Sequence, residues 1–425
     1  MQKSGNGFKS WIMWLLAAGF FLVTYFARVA PSVMVNDLMR HFQVSAFSIG
    51  TLSAFLYYAY IGMQLPVGAL FDFCKTRLLL TLATFLCGIS CILFACTNSI
   101  IAAEIFRFLL GVGSAFAFVG ALKVAGMWFS PSRFGVLASS TQALGMLGAA
   151  LGIGPVSFMV MTIGWRQTIW LIGGALLLLA LLIGIILRDR KTTKVTTEKT
   201  MSEIETSILH DFKILLKNPQ LWLNALIIGC MYAPTGAFAE LWGPSYLRHV
   251  NHWHIAIAAN AVSTIFIGWT VGGPIIGWIS DSFQRRKVII VFTLISSLLL
   301  MSAILYLPNL SITVMFILLF CYGFCNAGTA TAYAIAKEIS PAKTSATAIA
   351  FTNMFSILIG STLQPIIGLF LDLSRNKIIL HGIHYYSAHD YKLAMLTLPG
   401  CLIAGLIAVI FLKESYGQHL NGIQH

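Results

Sequence analysis

Charge is scarce in this chain. Of 425 residues only 10% are Asp, Glu, Lys or Arg, and the acidic residues number 14 against 27 basic ones. A soluble protein needs a charged exterior, so most of this molecule cannot face water. Cysteines number eight, yet no CxxC pair occurs. Cys87/Cys91 and Cys321/Cys325 each stand one helical turn apart inside apolar runs, which suits small buried hydrophobes better than a metal or disulfide framework. The glycine-rich phosphate loop of nucleotide-driven pumps is missing, so nothing points to ATP as a direct energy source. His249, His252 and His254 lie close together in one polar loop and read as solvated residues. No nucleophile–base pair or metal-ligand spacing stands out, so neither an enzyme nor a cofactor or metal is expected.

What the chain has is apolar length. Hydrophobic residues make up 58% of it, and the mean hydropathy is +0.84. Twelve runs are long enough to cross a hydrocarbon layer of about 30 Å as helices, each satisfying its own backbone hydrogen bonds. In order they are spans 1 to 12: 11–34, 47–71, 78–97, 100–128, 136–163, 167–187, 221–247, 257–280, 287–307, 311–336, 345–372 and 392–412. The first run is too long for a signal-peptide core and is read as a retained helix.

Lys and Arg set the expected orientation. With the N-terminus inside, the inside loops and tails carry 18 of the 27 basic residues, the opposite side 6, and the spans themselves hold Arg28, Arg107 and Lys123. This bias places both termini in the cytoplasm. It also accounts for the net charge of +13 without nucleic acid as a partner.

Residues 188–220 are polar and charged and end at Asn-Pro. They read as a cytoplasmic linker, with an amphipathic helix near 203–217, between a six-helix bundle over 1–187 and a second over 221–425. The halves echo each other. GALFDFCKTR at 68–77 follows span 2, and GWISDSFQRRK at 277–287 follows span 8. Each sets Gly, then Asp four residues on, then basic residues, between two spans. FAR at 26 and FAE at 238 repeat at nearly the same offset, so two independent short matches point to an internal repeat.

These segments resemble the major facilitator superfamily over essentially the whole chain. Gly68, Leu70, Asp72 and Arg77 match its loop signature, while Phe73, Lys75 and Thr76 depart from it. Gly277, Asp281, Arg285 and Arg286 match the second copy, with Gln284 replacing a glycine. RFLLGVGSA at 107–115 resembles the family's fourth-helix motif, and GMLGAALGIGP at 145–155 its fifth-helix glycine-proline motif. The resemblance implies an all-α membrane protein of two pseudo-symmetric six-helix bundles, working by alternating access and usually as a monomer. It implies gating roles for Asp72, Arg77, Asp281, Arg285 and Arg286, with the two aspartates latching helix ends, and a gating or coupling role for Arg107. The glycines at 145, 148 and 152 leave one stripe of span 5 open to a close partner helix.

Five ionisable residues fall well inside spans: Arg28, Glu104, Arg107, Lys123 and Glu240. Each costs at least about 2.5 kcal/mol at the bilayer centre, so such residues face a partner or a cavity. Glu104 and Arg107 are i, i+3 and can pair locally, although Glu104 is also a coupling candidate. Lys123 can snorkel to the near interface. Arg28 and Glu240 have no opposite charge one turn away, and the repeat makes them quasi-equivalent on spans 1 and 7. The family's fold puts those helices across from each other. A guanidinium fork suits a carboxylate and a carboxylate suits an ammonium, which is the polarity of a zwitterion. The same two residues would also serve as a gate, and both readings stay open at this stage. Tyr25, Tyr57, Tyr58, Gln64, Gln142, Asn260, Trp269, Tyr322, Asn326 and Asn353 are candidates to complete a pocket.

RVAPSVMVNDLM at 28–39 and ELWGPSYL at 240–247 resemble a narrower group, the Pht-like transporters of intracellular proteobacteria. That resemblance implies import of amino acids or nucleosides through a bacterial inner membrane. The expected function is therefore import of a small zwitterionic nutrient, with Glu240 as a candidate for proton coupling and symport. The rival readings are a carrier of nucleosides or organic anions and an exporter of drugs or siderophores.

Overall fold

The computed structural model describes residues 7–189, 215–283, 285–341, 344–373, 378–380 and 383–415. Among these residues are twelve helical spans long and apolar enough to cross a membrane. They run Gly7–Val33, Ala46–Gln64, Thr76–Cys96, Ile100–Trp128, Arg133–Ile163, Trp165–Ile186, Pro219–Val250, Ile255–Phe283, Arg286–Tyr306, Ile312–Glu338, Thr347–Asp372 and Ala388–Phe411. Most of 188–220, including 203–214 of the expected amphipathic helix near 203–217, lies outside the described residues.

Local chemistry explains the helix ends. Ser99, Asn218 and Ser311 sit at N-caps, and their side chains accept from the backbone N–H of Ala102, Gln220 and Val314. Each satisfies one of the donors that a helix start leaves open. Gly164, at φ +86°, makes the tight turn between spans 5 and 6, a conformation that glycine adopts without strain. Between spans 11 and 12 a short antiparallel ribbon pairs β1 (Ile378–Leu380) with β2 (Ile383–Tyr385).

The chain divides into two compact units. The first comprises Met1–Thr192, Ala237–Ile267 and Ser361–Ala394; the second comprises Thr193–Gly236, Gly268–Gly360 and Met395–His425. The first thus holds spans 1–6 together with parts of spans 7, 8, 11 and 12. This partition follows packing, whereas the six-plus-six division follows the repeat in the sequence.

In the first unit, glycines decide how closely spans 1 to 5 approach. A Cβ on Gly111 of span 4 would lie 2.1 Å from the Leu56 carbonyl of span 2, and one on Gly113 would lie 2.5 Å from Cys87 Sγ of span 3. The stripe on span 5 faces span 1: Gly145 lies against the Phe21 ring, Gly148 against the Leu22 carbonyl, and Gly152 against Val29 and Phe26. Span 1 thereby packs directly on span 5.

Candidate functional site

Pro31 sets up the site. It has no N–H, so the Ala27 carbonyl four residues earlier loses its helical partner. The α-helix Gly7–Val29 gives way to a 3-10 turn over Ala30–Val33. Arg107 of span 4 takes up the freed carbonyls. Its Nη1 donates to the Ala27 carbonyl at 2.7 Å, and its Nη2 to the Arg28 carbonyl at 3.2 Å. A buried carbonyl left empty costs about 1–3 kcal/mol, which is what Arg107 avoids. Arg107 forms no ion pair with Glu104 among the described residues; the local pair allowed by their spacing gives way to this backbone cap.

Span 7 is irregular where Glu240 lies. Its α-helix runs Pro219–Pro234, a π-helical stretch follows over Thr235–Trp242, and an α-helix resumes over Gly243–Val250. π-helical turns are rare and recur at functional sites. Gly243 permits the wide turn, because a Cβ there would lie 2.8 Å from the Phe238 carbonyl. The Trp242 indole N–H anchors the stretch by donating to the Gln364 carbonyl of span 11 at 2.9 Å.

The two breaks bring Arg28 and Glu240 into contact within the first unit. Arg28 Nη2 lies 3.1 Å from Glu240 Oε1 and 3.3 Å from Oε2. Arg28 is 5% exposed and Glu240 fully buried. The Tyr57 hydroxyl donates to Glu240 Oε2 at 2.5 Å. Three tyrosine rings surround the guanidinium, with centroids at 4.9 Å for Tyr25, 4.6 Å for Tyr57 and 5.8 Å for Tyr60. Gln64, one turn further along span 2 than Tyr60, is half-buried. The arrangement is a cation in an aromatic box whose open side is filled by the protein's own carboxylate. A buried ion pair of this kind adds little net stability, because desolvation offsets the attraction, but losing one partner is expensive.

The other expected pocket residues of this unit lie at its margins. Tyr58 and Gln142 are half-buried, and Asn260 is exposed, opposite Gly154. A Cβ on Gly154 would fall 2.5 Å from Asn260 Oδ1, so the glycine makes room for that amide. Glu104 is half-buried on span 4.

Trp269, Tyr322, Asn326 and Asn353 belong to the second unit. Asn326 is fully buried and uses its whole hydrogen-bonding capacity. Its Nδ2 donates to the Met231 carbonyl at 2.9 Å and to Ser297 Oγ at 3.1 Å. Its Oδ1 accepts from Thr235 Oγ1 at 3.1 Å and from Trp269 Nε1 at 3.3 Å. Tyr322 lies 3.2 Å from the Thr235 hydroxyl. The Met231 carbonyl is free because Thr235 N–H turns to Tyr232 at the start of the π stretch. Asn326 thus does for span 7 what Arg107 does for span 1. Asn353 accepts from the Tyr333 hydroxyl at 2.9 Å.

Of the loop residues expected to gate, Arg286 is the most engaged. It reaches Asp281 at 2.6 Å, Ser280 at 2.9 Å and Glu338 at 3.2 Å, and Glu338 also accepts from Ser415 Oγ at 2.5 Å. Arg285 is exposed. Arg77 donates from its side chain to the Gly184 carbonyl and from its backbone to Asp189 at 3.1 Å. The Asp72 side chain lies outside the described residues.

Sequence reading missed Asp372, at the end of span 11. Its carboxylate accepts from the backbone N–H of Ala46 at 3.2 Å and of Phe47 at 2.9 Å, and from the Tyr386 hydroxyl. It caps the start of span 2 from another helix. Gly50 and Gly368 allow spans 2 and 11 this close: a Cβ on either would lie 2.5 Å from the Gln364 or the Ala46 carbonyl, respectively. Asp372 follows an unbroken apolar run, and nothing local in the sequence names its partner.

Comparison with known proteins agrees with this architecture. The Major Facilitator Superfamily model matches residues 16–365 and 244–421. The uncharacterized transporter YybO of Bacillus subtilis (strain 168) is 28% identical over 297 residues, covering 66% of this chain and 67% of its own. The probable sulfoacetate transporter SauU of Cupriavidus necator is 22% identical, and the chain spans 64% of its length. The probable galactarate/D-glucarate transporter GudP of B. subtilis is 23% identical over 85% of this chain and 86% of its own. Among solved structures, a bacterial homolog of the human lysosomal transporter Spinster superposes with a TM-score of 0.76 at 15% identity, over 96% of this chain and 98% of that one. The nucleoside transporter NupG gives 0.73 at 15% identity, over 95% and 98%. This chain belongs to the Major Facilitator Superfamily and is a multi-pass secondary transporter of the membrane.

Proposed function

We propose that this transporter imports a small zwitterionic nutrient, an amino acid being the simplest case, across a bacterial inner membrane with both termini in the cytoplasm. The observation that carries the reading is the buried Arg28–Glu240 pair. Glu240 occupies the place on Arg28 and Tyr57 that a substrate carboxylate would take. A zwitterion inserted between the two exchanges one ion pair for two, carboxylate to Arg28 and ammonium to Glu240. No buried charge is left unpaired, which is the condition that makes such an exchange affordable. The pair is then gate and site in one: closed on itself when empty, opened by the substrate. A substrate acts on this equilibrium only through its differential affinity for the two arrangements. The RVAPSVMVNDLM and ELWGPSYL segments, which resemble the Pht-like transporters, support the same reading.

A second reading rests on the relatives, whose names include carriers of sulfoacetate and of galactarate/D-glucarate. Those compounds each carry two acid groups; one such group on Arg28 would leave Glu240 ionised and facing further negative charge, so binding calls for a proton on Glu240. That predicts anion–proton symport. Uptake into proteoliposomes separates the two. Under the zwitterion reading, amino-acid uptake is lost in both Arg28→Ala and Glu240→Gln. Under the anion reading, Glu240→Gln retains uptake of a sugar acid and frees it from the pH gradient.

A further inference from the structure

Spans 3 and 6 pack closely where Gly88 meets Leu177 and Gly173 meets the Gly88 carbonyl. Nearer their other ends the contact loosens into a groove of about 510 Å³. It is lined by Leu82, Phe85, Leu177, Leu181, Gly184 and Ile185 among others. Leu82, Phe85, Leu181 and Ile185 are each more than half exposed. In a membrane protein such surface meets lipid, so acyl chain is the medium that fills the groove. The small Gly184, against Thr81, keeps its end open.

That end carries cations. Arg77 bridges the two helices there, donating to the Gly184 carbonyl of span 6 and, from its backbone, to the Asp189 carboxylate. The same bond brings together the start of span 3, with exposed Lys75 at its N-cap, and the end of span 6, with exposed Arg188. Among the described residues near this mouth, Lys75, Arg77 and Arg188 outnumber one acid, Asp189. An apolar slot inside the hydrocarbon that ends in a cationic mouth matches one ligand: a phospholipid with an anionic headgroup, its chain in the slot and its phosphate on the cations.

We propose that the groove between spans 3 and 6 is a binding site for an anionic phospholipid, held by Lys75, Arg77 and Arg188 at its headgroup end. The site is separate from the Arg28–Glu240 pair and does not depend on what the transporter carries.

The test uses the full-length protein, stripped of native lipid and titrated with phosphatidylglycerol or phosphatidylcholine. Bound lipid is counted by native mass spectrometry, and thermal stability is followed alongside. Wild type should prefer phosphatidylglycerol, and the double variant Lys75→Gln/Arg188→Gln should lose about 30-fold of that preference, given roughly one kcal/mol per basic residue at a membrane surface. Leu181→Trp, which fills the slot, should weaken binding of both lipids. An unchanged preference in the double variant would overturn the proposal. So would full stabilisation by inorganic phosphate or glycerol phosphate, which supplies the headgroup without a chain. If Leu181→Trp does not fold, the charge variant decides alone.

Discussion

Arg107 donates to the backbone carbonyl of Ala27, the acceptor that Pro31 leaves empty. The link runs from one proline on span 1 to one arginine on span 4, and it fixes the stretch of backbone that carries Arg28. Arg107→Ala would uncover two buried carbonyls and should cost about 2–6 kcal/mol, at 1–3 kcal/mol for each unsatisfied group. Pro31→Ala restores the missing N–H. In the Arg107→Ala background it should therefore recover about 1 kcal/mol, while doing little for wild type. Detergent-phase unfolding of the four proteins in the cycle measures the coupling, and additive losses would show that the two residues act apart.

Arg28 and Glu240 should likewise be coupled. Either Arg28→Ala or Glu240→Gln leaves one buried charge alone and should cost about 3–5 kcal/mol. The double variant removes both charges and should be more stable than either single one. Tyr57→Phe isolates the hydroxyl, since the ring over Arg28 remains. Loss of its bond to the carboxylate should cost about 1.5–3 kcal/mol, the range for hydrogen bonds to charged groups. If the double variant is as unstable as the sum of the singles, the pair is not acting as a pair.

Asp372 ties span 11 to the first turn of span 2. Asp372→Asn keeps an acceptor but removes the negative charge that favours a helix N-terminus, so it should cost about 1 kcal/mol. Asp372→Ala, which removes the acceptor as well, should cost more. Hydrogen exchange at Ala46 and Phe47 reads the effect directly. Protection there that is the same in all three proteins would dissociate the carboxylate from the cap.

Asp37, in the helix Val35–Phe42 between spans 1 and 2, has its carboxyl pushed up, chiefly by burial and against the pull of Arg40 and Arg248. A raised folded-state value means that the folded protein holds this proton more tightly than the unfolded chain. The contribution is therefore present at acid pH, below about 4, and is lost as pH rises through the folded-state value. Asp37→Asn should stabilise the protein at pH 7, with the gain shrinking toward pH 4. Melting curves at both pH values check this, and a gain that grows with acidity would reverse the sign.

Much of the fold is legible in the sequence because lipid leaves so little freedom. Apolar length gives the twelve spans, and the cost of a charge in hydrocarbon singles out Arg28 and Glu240. Their direct contact is legible only as one of two readings, gate or site, since the repeat aligns two helices without saying how deeply each side chain sits. Arg107 was partly within reach: a proline at position 31 implies an empty carbonyl at 27, and a buried arginine is a natural partner. Reading Arg107 against Glu104 stopped at the nearest charge along the helix, whereas the stronger claim came from backbone on another span. Asn326 was read as a pocket residue because a polar side chain inside a span suggests a ligand. A broken helix needs such partners too, and the break in span 7 is a π-helical stretch that no residue pattern announced. Asp372 lay beyond reach because helix capping from a distant span leaves no periodic trace.

The most direct measurement is thermal stabilisation of the purified protein and of its Arg28→Ala and Glu240→Gln variants by amino acids, nucleosides and dicarboxylates. A ligand at about 100 times its dissociation constant stabilises by about 2.7 kcal/mol if it binds only the folded state. The account predicts such a response to an amino acid in wild type and its loss in both variants. An amino-acid response unchanged in the variants, or a wild-type response confined to dicarboxylates or nucleosides, would contradict it.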